Sequence, residues 1–288
     1  MLMVFGASGF IGNYIYAYFK QKYIQTVGTY CSKIQDKLMA FDFNDFLVDE
    51  LVGQIKKNKI SYAIFSSGQT NIDAIKREVG YFQKINVDNP IKVIKILADL
   101  GVVPIYISTD CVFDGSKGDY VEDDKREPQT IYGKQKVMIE DYLINNFKDY
   151  LLFRISKIYS SDLVKKNWLA DWVEAISEDK AIPCAVDQVF CPTHVMDIVE
   201  GIEKLIECEA RGVYHLANPV KYSKYDLGLA LCKVLNKDKK VINPVKINEI
   251  GLLEERPLDT SLNSNKFITL TKHSFRSIVN TVGEIVKK

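Results

Sequence analysis

The chain has 288 residues, with 38 Lys and Arg against 37 Asp and Glu, and a formal charge of +1. A charge near zero speaks against a general nucleic-acid or membrane-surface binder, since both rely on excess positive charge; a small anionic ligand needs only a few local donors and stays open. Hydrophobic residues at 47% and charged residues at 26% fit a soluble globular protein with one large core or two unequal ones, and exclude disorder, collagen and coiled coil.

In chain order, Leu2–Phe5 reads as a short buried strand, and residues 11–22 have helical spacing with Ile11, Ile15, Tyr18 and Phe19 on one face. Thr26–Tyr30 is a second strand, residues 46–57 a helix, Tyr62–Phe65 a strand and residues 89–100 a helix with Pro90 in its first turn. Residues 103–108 form a strand, 132–146 a helix and Leu151–Ile155 another strand. Strands alternating with helices at this pitch predict parallel βαβ units, hence an α/β fold with a doubly wound sheet. Beyond about residue 160 the pattern is punctuated by Pro183, Pro192, Pro219, Pro244 and Pro257, although residues 195–207 and 224–235 keep helical spacing. The expected organisation is a dinucleotide-binding domain over residues 1–160, to which 186–208 returns, and a smaller α/β substrate-binding subdomain over 161–288.

The six cysteines form no C-x-x-C pair and the three histidines are dispersed, so no metal site is expected. Scattered cysteines in a chain of this size predict a reduced, cytoplasmic protein. No apolar run reaches the roughly 18–20 residues of a membrane span, and the N-terminus lacks the pattern of a secretory signal.

Gly6-Ala7-Ser8-Gly9-Phe10-Ile11-Gly12 follows the first strand and opens the first helix. Gly6 allows a tight turn, Gly9 lets a pyrophosphate approach the backbone, and Gly12 lets the helix pack closely. The N–H groups of the turn and first helical residues, among them Ser8, Phe10 and Ile11, face the phosphates at the positive end of the helix dipole. After the second strand the chain reads Thr29-Tyr30-Cys31-Ser32-Lys33, with no carboxylate before Asp36. Ser32 and Lys33 can hold a 2′-phosphate where an NAD site places an acidic residue, so NADPH is expected, with NADH left open. Asp42, followed by Phe43, is a candidate contact for the adenine.

Tyr132 and Lys136 stand four residues apart, on one face of a helix. A tyrosine is a poor proton donor and acceptor at neutral pH, but a neighbouring ammonium favours its phenolate, which makes the pair a plausible proton-transfer unit. The preceding strand ends in Ser108-Thr109, at the carboxyl edge where open α/β sheets bind ligands.

These motifs together resemble the extended short-chain dehydrogenase/reductases. Further segments are similar to the dTDP-4-dehydrorhamnose reductase family: Gly118-Asp119-Tyr120-Val121-Glu122-Asp123-Asp124, Asp187-Gln188-Val189-Phe190-Cys191-Pro192-Thr193, and Arg256-Pro257-Leu258-Asp259-Thr260. The resemblance implies hydride delivery from NAD(P)H to the keto carbon of a nucleotide-linked 4-keto-6-deoxy sugar. It implies that Tyr132 donates the proton, that Lys136 tunes Tyr132 and bonds the nicotinamide ribose, and that Thr109 orients the keto oxygen. Ser66, Ser67 and Gly68 match a loop that passes the cofactor, although relatives carry Asn-Ala-Ala-Ala over 65–68. Ser108 and Ile155 match positions beside the cofactor. Asp110, Cys111, Phe113, Gln188 and Arg256 match the substrate side, where Arg256 can pair with a diphosphate. Cys111 replaces the Tyr of many relatives and the Glu of the related dehydratases, so the base for water elimination is absent. The implied partner is a nucleotide sugar, with a homodimer left open. The alternatives are an epimerase or epimerase-reductase, and a non-catalytic subunit like the β subunit of methionine adenosyltransferase.

Overall fold

The computed structural model describes residues 1–22, 25–32, 34–163 and 167–286. The chain divides into two units. The first is built from residues 1–109, 131–153 and 209–213, the second from 110–130, 154–208 and 214–288. Residues 186–208, expected to return to the first domain, belong to the second unit, and the short stretch 209–213 returns instead.

The first unit carries strands β1 (Leu2–Phe5), β2 (Thr26–Tyr30), β3 (Met39–Ala40), β4 (Tyr62–Phe65) and β5 (Val103–Thr109). With β6 (Leu151–Ile155) and β7 (Gly212–Leu216), whose last residues run into the second unit, they form one sheet of order β7-β6-β5-β4-β1-β2-β3. The pairings β1–β2, β1–β4, β2–β3 and β4–β5 are all parallel. Parallel sheets need cover on both faces, which explains why β1 is buried along its whole length and β5 is almost wholly buried. The helices of this unit are α1 (Phe10–Lys22), α2 (Val48–Lys57), α3 (Ile72–Arg77), α4 (Val79–Gln83), α5 (Asn89–Asp99) and α6 (Ile131–Asn146). The apolar stripes of α2, α5 and α6 meet Met3, Phe5, Ala63, Phe65 and Tyr106 in the core. The strand order reverses between β1 and β4, so the crevice for a ligand lies at the carboxyl ends of these two strands.

The expected helices of the first unit are present with ends moved by one or two residues, but α3 and α4 were not foreseen. Between α4 and α5 the chain adds a π-helical turn at Lys84–Asp88. Asn71 caps α3 by accepting the Ala74 N–H at 3.0 Å.

The second unit holds α7 (Trp168–Ser177), α8 (Val195–Glu207), α9 (Lys224–Val234), α10 (Asn265–Thr271) and α11 (Ile278–Val286). Short strand pairs join 158–159 to 193–194, 189–190 to 222–223, and 182–185 to 242–245. Its core is Tyr159, Leu169, Ile176, Phe190, Leu227 and Leu231 with their neighbours. Asn167 and Ser223 cap α7 and α9 with their side chains. Asp197, Glu200 and His273 bring ligand-type atoms within 4.8 Å of one another, but Arg276 bridges the two carboxylates. All six cysteines are free thiols. Among the described residues, no helix is long and apolar enough to cross a membrane.

Candidate active site

The glycine turn has the shape its spacing requires. Gly6 sits at φ +81°, and a Cβ there would lie 2.9 Å from Ser67. A Cβ on Gly12 would lie 2.1 Å from the Gly6 carbonyl oxygen and 2.6 Å from Ser66 Oγ, so α1 starts directly against the turn. Gly9 is exposed, and its N–H donates to the Gly6 carbonyl at 2.9 Å. Ser66, after β4, donates through Oγ to the Phe5 carbonyl at 2.7 Å and ties the two loops at the switch point together. The Gly6 N–H in turn donates to Thr29 Oγ1 on β2 at 3.1 Å. A cradle that any side chain would fill, opening on a helix N-terminus, fits the pyrophosphate of a dinucleotide.

The loop beyond Ser67 is held by a residue that sequence reasoning missed. Gly68 has φ +127°, and the Gln69 N–H donates to Asn86 Oδ1 at 2.9 Å. Asn86 Nδ2 donates to the Gln69 carbonyl at 3.1 Å and to Gln135 Oε1 at 2.8 Å. The π-helical turn carries Asn86 inward, so this buried amide links the loop after β4 to α6.

Thr109 ends β5, while Tyr132 and Lys136 lie on α6, all three buried in the first unit. Lys136 Nζ donates to the Ile107 carbonyl at 2.9 Å and lies 4.6 Å from the ring centre of Tyr106 and 5.8 Å from that of Tyr132. Burial pushes its ammonium down to about 8, against the opposing pull of the Glu140 carboxylate. Tyr106 is held well above the usual tyrosine range by burial, then by Tyr132 and Glu140. Ser108, expected beside the cofactor, donates its hydroxyl proton to Glu140 Oε1 at 2.5 Å.

Other expected cofactor positions divide. Ser32 is exposed past the end of β2, and Lys33 lies outside the described residues. Asp42 Oδ1 accepts the Asn44 N–H at 2.8 Å, as a turn aspartate does, and its carboxylate sits beside Cys31, whose thiol is raised by burial and then by Asp42. The Phe43 ring packs 5.5 Å from Phe5 and 5.1 Å from Phe41 in the aromatic core.

In the second unit two residues expected on the substrate side are buried. Phe113 is fully buried, its ring stacked on that of Tyr120 at 4.2 Å and the Arg154 guanidinium 5.1 Å from its ring centre. Asp110 is buried, and its Oδ2 accepts from Ser156 at 2.8 Å and Thr260 at 2.9 Å, while Cys111 Sγ lies 3.5 Å from Oδ1. A carboxylate so engaged staples the unit together. Ile155 is half-buried between Arg154 and Ser156. Gln188 Nε2 donates to the Pro257 carbonyl at 3.4 Å, and Val189 pairs with the Leu258–Thr260 stretch, so the Gln188 and Arg256 segments lie together.

Over residues 1–288 the chain matches the RmlD substrate binding domain family. It belongs to that family. Among curated relatives, methionine adenosyltransferase 2 subunit beta of Mus musculus is 23% identical over 277 residues, 93% of this chain and 82% of that protein. The probable low-salt glycan biosynthesis reductase Agl14 of Haloferax volcanii is 24% identical over 264 residues, 88% of this chain and 86% of that one. Among solved structures, a hypothetical dTDP-4-dehydrorhamnose reductase from Sulfolobus tokodaii superposes with a TM-score of 0.86 at 23% identity, covering 98% and 99% of the two chains. The dTDP-4-dehydrorhamnose reductase of Bacillus anthracis, in complex with NADP, has a TM-score of 0.85 at 22% identity, covering 99% and 98%. These likenesses bear out the fold and the family.

As a member of the RmlD substrate binding domain family, the chain carries functional candidates that its motifs did not point to. Lys157 Nζ lies 5.0 Å from the ring centre of Trp168 and 6.0 Å from that of Phe190. Burial, then repulsion from Lys224, pushes its ammonium down to about 8. Lys224, at the start of α9, is lowered by burial and by Arg256. Lys224 thus repels both Lys157 and Arg256 within the second unit. Arg256 was expected on the substrate side, but the sequence separation of Lys157 and Lys224 from it hid those two. Glu140 was legible, one turn beyond Lys136, but a carboxylate on a helix is ordinarily solvated.

Proposed function

We propose that the protein is an NAD(P)H-dependent reductase acting on the keto group of a nucleotide-linked 4-keto-6-deoxy sugar. The observation that carries this reading is the buried Tyr132–Lys136 pair on α6, with Lys136 anchored to β5 two residues before Thr109 closes that strand. The glycine cradle, the family and the NADP of the Bacillus anthracis relative support it.

Reduction adds a hydride to the keto carbon and a proton to its oxygen. A bound nicotinamide supplies the hydride. Thr109 and Tyr132 bond the keto oxygen and orient it. As negative charge grows on that oxygen, the Tyr132 O–H bond breaks and its proton passes to the alkoxide. The phenolate left behind is stabilised by the Lys136 ammonium, which water does not screen in this buried place. Gly6, Gly9 and Gly12 take the pyrophosphate, and Ser32 and Lys33 take the 2′-phosphate of NADPH. Lys157, Lys224 and Arg256 take the diphosphate of the sugar nucleotide.

The test is a panel of nucleotide 4-keto-6-deoxy sugars with the purified protein, following NADPH consumption and product. Turnover by the parent and its loss in Tyr132→Phe support the reading; equal turnover by Tyr132→Phe defeats the mechanism. A second reading is favoured by the likeness to methionine adenosyltransferase 2 subunit beta over 93% of the chain: the protein is a nucleotide-binding subunit of another enzyme. No turnover across the panel, together with stoichiometric co-purification of a partner, would establish that reading.

A further inference from the structure

On α6 the residues 132, 136 and 140 follow at intervals of four and lie on one face. The last two clamp the helix to consecutive residues of β5: Lys136 Nζ donates to the Ile107 carbonyl at 2.9 Å, and Glu140 accepts from Ser108 at 2.5 Å. Thr109 is the next residue of the strand. Glu140 is fully buried, at 0% exposure, and a buried carboxylate is costly unless it is hydrogen-bonded and near a positive charge. The titratable groups facing Lys136 are Tyr132 and Glu140 on its own helix and Tyr106 on β5. Only Glu140 among them is a carboxylate.

We propose that Glu140 is a positioning residue: its carboxylate, tied to Ser108, keeps the Lys136 ammonium charged and fixes the face of α6 that presents Tyr132 beside Thr109. The inference rests on the reductase reading for its catalytic consequence, but not for its electrostatic one. Burial alone discharges a lysine, and Glu140 counters that loss from within the same buried cluster. Without it, Lys136 loses its proton within the neutral range, and the developing phenolate loses its partner.

The experiment is a titration of Lys136 by NMR in protein carrying carbon-13-labelled lysine, its resonance assigned by its disappearance in Lys136→Met. The parent midpoint is expected at about 8, and Glu140→Gln should lower it by at least ~1 pH unit. Glu140→Asp, which keeps the charge, should restore most of that shift. An unchanged midpoint in Glu140→Gln overturns the proposal. If that variant does not fold, the double variant Ser108→Ala with Glu140→Met removes the carboxylate together with the hydroxyl that donates to it, and must show the same lowered midpoint. In the sugar-nucleotide assay, Glu140→Gln should lose ~4-fold more kcat at pH 8 than at pH 6.5, with KM for the sugar nucleotide little changed; a loss independent of pH would mark Glu140 as merely structural. If the parent turns over no keto sugar, the reductase reading fails while the Lys136 midpoint still decides the role of Glu140.

Discussion

Lys136 sets two tendencies against each other, deep burial, which pushes its ammonium down to about 8, and the opposing pull of the Glu140 carboxylate. Its carbonyl partner on Ile107 and the face of Tyr106 supply part of the lost hydration. Tyr132→Phe and Lys136→Met should each lower kcat by ~10²–10⁴-fold in a keto-sugar assay, the second with a weaker hold on the cofactor, measured by NADPH titration. His215 bears on stability. Burial, then the neighbouring Arg154 guanidinium, push its imidazole down to about 3. Below about pH 6.5 the unfolded chain binds a proton there that the native protein refuses, so stability present above that pH is lost as the pH falls, until about pH 3. Denaturant unfolding of His215→Gln between pH 7 and pH 4 should show an acid limb shallower by about one proton; an identical limb would show that His215 does not refuse the proton. The Tyr132–Lys136 pair was readable in advance because helical spacing carries it. The burial of Phe113 and the hydrogen bonds of Asp110 were not readable, since a motif position does not reveal whether a side chain faces a ligand or the interior.

At the scale of elements, the start of α1 is the tightest junction. Gly12→Ala drives a methyl into the Gly6 carbonyl, a backbone atom that has nowhere to go. The variant should bind NADPH at least ~10-fold more weakly and unfold at lower temperature, checked by fluorescence titration and calorimetry; unchanged binding would show that the cradle has slack. The alternation of β1 to β6 with helices was legible because parallel strands are near-continuous apolar runs, and the glycine turn because only glycine fits it. The helices α3 and α4 and the π-helical turn were not, because Val79 and Tyr81 leave α4 without a buried face and a π-helical turn has no sequence pattern of its own. Asn86 was lost with that turn.

For the whole molecule, the balance of charge speaks against a polyanion partner and leaves a few cations of interest. Lys157, Lys224 and Arg256 carry like charges in one unit, and Lys224→Ala should raise KM for the sugar nucleotide ~10-fold with kcat nearly unchanged, as loss of uniform binding does. Saturating NADPH should stabilise the protein by mass action, and more than NADH at equal concentration if Ser32 and Lys33 take the 2′-phosphate. The division into units was only partly foreseen, because 110–130 and 209–213 change units without any break in composition. The most direct measurement is the fate of the hydride. The protein is incubated with NADPH deuterated at the transferred position and a nucleotide 4-keto-6-deoxy sugar, and the sugar is analysed by mass spectrometry. One deuterium at the former keto carbon in the parent reaction, and none with Tyr132→Phe, is the predicted result; unlabelled sugar from the parent, or equal label from both proteins, would contradict it.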